Sequence, residues 1–266
     1  MVRDFVIPKI LVSFAPFARH TRQVTTTIGA FLNALGILLG GLFGLARRES
    51  LSARAQIFFR NALGAFTVFF ALRLVWVSVN GTFLLCLKQL FVAAIAVVLG
   101  NLLGKLLRLQ QLSNRLGRYA TRLISSADTN SPRKTADGFC ACTILFWAAP
   151  LGLVGAVVDG LSGYFYLLAV KAIMDGLATA SFVKMFRWPV AMSAIPVFAL
   201  LGFITLVSQL YALPFLEERH LIDSVNAAAG LVACAIAPVI FQTRKVELAN
   251  YLPALAVAPL LAWLLK

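Results

Sequence analysis

The sequence has little charge and few of the side chains on which soluble enzymes depend. Asp, Glu, Lys and Arg make up only 13% of the 266 residues, against about 25% in an ordinary soluble domain. Hydrophobic residues make up 61%. A chain of this length cannot bury so large an apolar fraction within itself, which excludes a soluble protein. We therefore expect an all-α fold, a polytopic transmembrane helix bundle for which the bilayer is the solvent.

Cysteine and histidine are also scarce, with four and two residues in the whole chain. Cys140 and Cys142 lie close together, but no Cys or His partner stands at a metal-ligand spacing. Both histidines, His20 and His220, lie outside the apolar runs, and no nucleophile–base pair can be recognised. We expect neither a metal ion nor a cofactor, and an enzyme is the least favoured class of function.

Long apolar runs are the dominant feature of the sequence. They are continuous rather than alternating, which favours helices over a barrel. A span needs about 20 apolar residues, so about eight spans are predicted. The seventh run is short, and seven spans plus a partly inserted segment is the alternative. The runs are approximately Ile28–Ala46, Ala62–Val79, Phe83–Leu107, Phe139–Val158, Tyr164–Phe182, Pro189–Leu213, Ala227–Phe241 and Val246–Leu265.

The few charges are strongly unbalanced, with 24 Lys and Arg against ten Asp and Glu and a net charge of +14. Most basic residues fall in the connections that follow the first, third, fifth and seventh runs, and the other connections hold almost none. The positive-inside rule then places the basic loops in the cytoplasm and both termini outside. Anionic lipids are the expected partners of this cytoplasmic face. Nucleic acid is not expected, because no recognition module is visible.

Polar and amphipathic segments divide the chain into parts of one membrane domain. Four leucines at helical spacing follow the third run, and they predict a surface helix with its apolar side on lipid or protein. The N-terminal residues mix basic and apolar side chains, as in segments that lie on a bilayer surface. The predicted parts are an amphipathic extension (1–26), a three-span segment (27–107), a basic cytoplasmic surface helix and linker (108–137) and a five-span segment (138–266).

Glycines recur at four-residue spacing in two runs. Gly36, Gly40 and Gly44 stand in the first run, and Gly100 and Gly104 in the third. Small residues at this spacing let two helix backbones approach closely. The pattern favours tight packing inside one bundle over a homodimer seam, and both alternatives stay open. The two segments also align with each other, which is compatible with an internal repeat.

Ionisable residues within the runs are the candidate binding residues, because burying charge in a bilayer is costly. Lys171 and Asp175 share one face of the fifth run, one turn apart, and Arg73 lies well inside the second. The structural interpretation is a buried ion pair, or an Asp175–Arg73 bridge between helices, that only fixes the packing. The functional interpretation is a polar site or ion path at mid-depth. The two interpretations are not exclusive.

Other polar residues extend this candidate site. Asp159 and Asp175 begin the same tripeptide, Asp-Gly-Leu, and Asp159 should lie at the outer end of the fourth span, so the two would mark the entrance and the midpoint of one route. Asn33 in the first run and Asn250 in the eighth could each bond a neighbouring helix. Five prolines in four of the runs can free main-chain carbonyls for ion coordination, or simply kink the helix. These prolines are Pro150, Pro196, Pro238, Pro253 and Pro259.

Three stretches resemble a known family. They are Thr27–Gly44 (TIGAFLNALGILLGGLFG), the region from Asp159 through Lys171 to Gly176, and Arg244–Leu261 (RKVELANYLPALAVAPLL). They are similar to the bacterial YdfK/YqgA-like membrane proteins, in the same order over about residues 27–265. The basic loop 108–137 matches poorly. The resemblance implies a multi-pass protein of the bacterial inner membrane, of uncharacterised function, and supplies no ligand or catalytic residues.

Two functions follow as hypotheses. The first is a small-solute or ion transporter or channel, with a path near the fourth and fifth spans that uses Asp159, Asp175, Lys171 and Arg73. The second is a non-transporting membrane protein that organises lipid or a partner through its basic cytoplasmic face.

Overall fold

The fold is an all-helical bundle in the computed structural model, which describes residues 27–47, 52–126, 134–244 and 246–265. The expected N-terminal extension and residues 127–133 of the expected linker lie outside these ranges. Within them no strand occurs. The α-helices are α1 (Ile28–Ala46), α2 (Ala53–Ser78), α3 (Phe83–Leu106), α4 (Leu109–Ser126), α5 (Lys134–Trp147), α6 (Pro150–Ser162), α7 (Tyr166–Phe186), α8 (Ala194–Val207), α9 (Leu213–Glu218), α10 (Ile222–Ile240) and α11 (Ala254–Leu264).

Six of the helices among the described residues are long and apolar enough to cross a membrane. They are α1, α2, α3, α7, α10 and the rod Trp188–Glu218, in which a 3₁₀ turn, α8, a π-helical turn and α9 follow one another. A seventh span is formed if α5 and α6 cross together. These helices confirm the predicted polytopic bundle.

The fourth and eighth runs, rather than the seventh, depart from simple spans. The fourth run is bent by 59° between α5 and α6, where Pro150 begins α6 and cannot donate to the preceding turn. The eighth run is a 3₁₀ turn, Leu248–Tyr251, followed by α11, which together are shorter than the other spans. The prediction that the seventh run is short is wrong, because α10 starts at Ile222 and includes polar residues in its first turns.

The surface of the bundle is apolar where lipid is expected. Phe58, Trp76, Phe83, Phe91 and Leu106 are each at least 66% exposed. A surface with so many large exposed apolar side chains is stable only against lipid or another protein. The interior holds two main clusters, one centred on α2, α6 and α10 and the other on α1, α5, α7 and α8.

The first glycine series packs α1 against α7 within the chain. A Cβ at Gly36, Gly40 or Gly44 would meet main-chain atoms of Ala172, Gly176 or Ala180, respectively. Because both residue series ascend together, the two helices run parallel with their backbones in contact. The glycines of the first run, for which the sequence left a homodimer seam open, thus pack inside the bundle.

The second glycine series has a different environment. A Cβ at Gly100 would meet the main chain of Ala254, and a Cβ at Gly104 would meet that of Asn250. Since one series ascends as the other descends, α3 and the last helical segment run antiparallel. The two glycine segments that align in sequence therefore do not occupy equivalent places in the fold.

The basic segment after the third run forms the predicted surface helix, α4. The turn into it places Arg108 in the left-handed region, with a φ of 54°. Ala120 is buried against the bundle, whereas Leu112, Leu116 and Tyr119 are exposed. One side of α4 therefore packs on protein, and a second apolar strip faces away from it.

Candidate functional site

The candidate site is a group of polar side chains buried between α1 and α7. Lys171 is 1% exposed, Asp175 is 7% exposed and Asn33 is fully buried. Lys171 and Asp175 come from successive turns of α7, and Asn33 comes from the facing side of α1. The close approach of the two helices at their glycines carries Asn33 to Asp175, across 142 residues of sequence.

Both neighbours of Asp175 bind the same carboxylate oxygen. The Nδ2 of Asn33 donates to Oδ2 of Asp175 at 3.0 Å, and the Nζ of Lys171 donates to Oδ2 as well and forms an ion pair with it. The main-chain carbonyl of Asp175 also accepts a bond of 2.7 Å from the Thr179 hydroxyl. The predicted ion pair on one helix face is confirmed, and an asparagine from a second helix completes it.

Two polar groups of this cluster have bonding capacity left over. The Oδ1 of Asn33 is buried and has no hydrogen-bond partner among the described residues. The Lys171 ammonium lies over the Phe146 ring, 5.7 Å from its centroid, and an ammonium can donate three bonds. A buried acceptor without a donor costs about 1–3 kcal/mol, so this cluster stabilises the contact between α1 and α7 less than a fully hydrogen-bonded one would.

Gly152, just after the break between α5 and α6, makes room for Lys171. A Cβ at Gly152 would lie only 2.6 Å from Cε of Lys171 and 3.1 Å from its Cδ. Glycine at this position lets the lysine stem pass the first turn of α6. Thr179, Phe146 and Gly152 were not found from the sequence, although the spacing of four residues between Asp175 and Thr179 was a usable signal.

Asp159 contacts α1 one turn before Asn33. Its Oδ2 accepts the N–H of Gly29 at 3.1 Å, in the first turn of α1. Gly29 and Asn33 are four residues apart, which is about 6 Å of helix rise. The two predicted aspartates thus contact neighbouring turns of α1, so α1, which carries the predicted site residue Asn33, lies beside the path expected near the fourth and fifth spans.

Arg73 and Asn250 lie at other places. Arg73 stacks over the Tyr166 ring at 5.1 Å. Tyr166 stands nine residues before Asp175 on α7, which is about 13 Å of helix rise, so the structure shows no Asp175–Arg73 bridge. Tyr164, beside it, donates from its hydroxyl to the carbonyl of Phe70 at 2.7 Å.

Asn250 ties the surface helix to the bundle. Its Oδ1 accepts the N–H of Gln110 at 3.0 Å, in the first turn of α4, and its Nδ2 donates to Glu247 at 2.8 Å. Gln110 in turn accepts the N–H of Ala249 at 3.0 Å through its side-chain carbonyl. The predicted bond to a neighbouring helix is present, and its effect is to fix α4.

A surface cavity lies away from this cluster. It has a volume of about 220 Å³ and lies where the end of α2, the start of α3, the start of α10 and the end of α11 meet. Lys88, Gln89, Asp223 and Ser224 are among its lining residues. In the part of the chain that the structure describes, no three His, Cys, Asp or Glu side chains converge as a metal site would require.

Comparison with known proteins places the chain in an uncharacterised group. The family model described as "Protein of unknown function (DUF554)" matches residues 28–263. The "Uncharacterized membrane protein YdfK" of Bacillus subtilis (strain 168) is 21% identical over 237 residues, which are 89% of this chain and 96% of the relative. The "Uncharacterized protein YqgA" of Escherichia coli (strain K12) is 25% identical over 232 residues, which are 87% of this chain and 94% of the relative. No solved structure matches significantly.

Proposed function

The chain belongs to this family of unknown function, DUF554, and on that premise we propose that it is a transporter or channel for a small solute or ion. Its path runs beside α6 and α7, past Asp159 and then past Asp175. The protein lies in a bacterial inner membrane with its basic connections on the cytoplasmic side, as the positive-inside rule requires. No enzymatic activity is part of this proposal.

The buried Asn33–Lys171–Asp175 cluster is the observation that carries the proposal. Charges at bilayer depth are expensive, and replacing a buried ion pair by packed apolar residues is often neutral or stabilising. A purely structural role would therefore be filled at lower cost by apolar side chains. The unpartnered Oδ1 of Asn33 adds a further cost that packing alone does not explain.

The bend between α5 and α6 supports the same reading. Binding sites in many transporters lie where a spanning helix is broken near mid-membrane. Here the break stands beside Lys171, whose stem passes Gly152 in the first turn of α6. The three buried side chains are closed off from solvent, so transport requires movement of a neighbouring element, and the broken α5–α6 segment is the one we expect to move.

The test measures thermal stability with added ligand, and solute flux, in the wild type and in an isosteric variant of Asp175. The purified protein is heated with a panel of ions and small metabolites, and any stabilising compound is then tested for flux in proteoliposomes. A ligand at 100 times its dissociation constant that binds only the folded protein adds about 2.7 kcal/mol. We expect Asp175→Asn to abolish both the shift and the flux while the protein still folds.

The matched control is Glu218→Gln, at an exposed glutamate at the end of α9. It removes the same charge outside the cluster and should leave shift and flux unchanged. Full flux in the Asp175→Asn variant would remove this residue from the mechanism and, with it, the basis of the proposal.

A second candidate function rests on α4. Leu112, Leu116 and Tyr119 are exposed, and Arg115 and Arg118 on the same helix are exposed too. A helix with an apolar strip and basic side chains is suited to the interface of an anionic bilayer. On this view the protein organises lipid or a partner through its basic face.

A further inference from the structure

We propose that Asp175 and Asn33 form a binding site for a desolvated monovalent cation, and that the Lys171 ammonium holds the carboxylate of this site in the closed state seen here. The inference rests on the proposed transport function and deepens it, because it names the class of ion that the site recognises. The cation and the ammonium then compete for one carboxylate.

The orientation of Asn33 is fixed by its neighbour. An ionised carboxylate can only accept hydrogen bonds, so the amide must turn its Nδ2 towards Oδ2 of Asp175, as observed at 3.0 Å. The Oδ1 then faces a position where no described residue donates to it. The Asn33 Oδ1 is therefore a buried carbonyl oxygen, close to a carboxylate, that no donor among the described residues satisfies. Amide carbonyl and carboxylate oxygens are the ligands of hard cations.

The charge of the cluster selects a monovalent ion. Asp175 supplies one negative charge, and the Lys171 ammonium neutralises it. Asp159 is bound to the N–H of Gly29 in the preceding turn of α1 and does not contact this pair. One carboxylate balances one unit of positive charge, so a second cation enters only if the ammonium leaves.

Lys171 is built to leave its position. Its other described contact at the ammonium is the face of the Phe146 ring, at 5.7 Å, which holds it less strongly than a second carboxylate would. Its flexible stem passes Gly152, where the absence of a side chain gives it clearance. A lysine that swings towards the α5–α6 break exposes Asp175 to an incoming ion.

The experiment measures thermal unfolding of the purified protein as NaCl replaces choline chloride at constant ionic strength. Choline is too large to enter a closed oxygen site. We expect Lys171→Met to lower the Na⁺ concentration for half-maximal stabilisation by about tenfold relative to the wild type, within the 5- to 150-fold range usual for linked binding events. Adding Asp175→Asn to Lys171→Met should abolish the Na⁺ effect.

The control is Lys184→Met, which removes an exposed lysine from the last turn of the same helix and should respond to Na⁺ as the wild type does. If Lys171→Met does not fold, Asn33→Ala serves instead, since it removes the unpartnered oxygen without changing charge and should weaken the Na⁺ effect of the wild type. The cation site is overturned if Na⁺, Li⁺ and K⁺ stabilise none of the variants, or if Na⁺ stabilises all of them equally.

The two proposals fail in distinguishable ways. Solute flux that needs Asp175 but neither depends on Na⁺, Li⁺ or K⁺ nor carries one of them overturns the cation site and leaves the transport function standing. Na⁺ stabilisation that is stronger in Lys171→Met, combined with normal flux in Asp175→Asn, supports a cation site and overturns the transport role of the cluster.

Discussion

Replacing Gly40 by alanine tests whether the glycine series of α1 holds the bundle together. A Cβ at this position would overlap the main-chain carbonyl of Gly176, and a backbone atom cannot rotate away as a side chain can. Inserting a methyl group into a packed interface costs about 1–3 kcal/mol. Alanine also improves helix propensity by about 1 kcal/mol over glycine, which offsets part of that cost.

Gly117→Ala is the matched control, because a Cβ at Gly117 on α4 would meet nothing within 4 Å. Both variants gain the same helix propensity, so the difference between their free energies of unfolding isolates the steric cost. We expect Gly40→Ala to be less stable than Gly117→Ala by about 1–3 kcal/mol.

The assay is unfolding by increasing mole fraction of SDS in mixed micelles, at several protein concentrations. A difference that does not depend on concentration assigns the contact to one chain, whereas a difference that grows with concentration assigns it to a dimer. Equal stabilities of the two variants would refute the contact between the α1 and α7 backbones, and the parallel packing of these helices with it.

Two further predictions concern α4. Asn250→Ala removes the side-chain acceptor for the N–H of Gln110, and loss of such a cap typically costs about 0.5–2 kcal/mol. Hydrogen exchange should therefore become faster in α4 and stay unchanged in α7. Equal acceleration in both helices would contradict a local role of Asn250. In the unmodified protein we expect hydrogen exchange in α4 to be slower in nanodiscs of anionic lipid than in nanodiscs of zwitterionic lipid. Replacing Arg115, Arg118 and Arg122 together by Gln should abolish this difference. High salt should have the same effect in the unmodified protein, and salt-independent protection would count against the lipid-organising function.

Hydropathy predicted the helical class and most spans, because a bilayer requires about 20 apolar residues in succession whatever the tertiary packing. It did not predict which runs are irregular. Pro150 begins α6 at a 59° bend, whereas Pro238 and Pro259 lie inside continuous helices. The effect of a proline depends on whether neighbouring groups satisfy the carbonyl that it frees, and that information is not local.

The candidate site divides in the same way. The Lys171–Asp175 pair could be predicted because residues four apart share a helix face. The partnership of Asp175 with Asn33 depends on the parallel approach of α1 and α7, which no local pattern encodes. Arg73 was placed correctly within a span, but its partner is the Tyr166 ring, and sequence spacing does not distinguish a carboxylate partner from an aromatic one.

The Lys171–Asp175 pair has a consequence for how the protein is made. Both charges lie on one helix, one turn apart, so α7 enters the bilayer with its carboxylate already neutralised and does not have to wait for a partner helix. Asn33 enters much earlier, on the first described span, with a neutral side chain that lipid tolerates better than an ion. Assembly is then completed by docking two independently inserted helices along a seam of small residues, which is the second of two separable stages in membrane-protein folding.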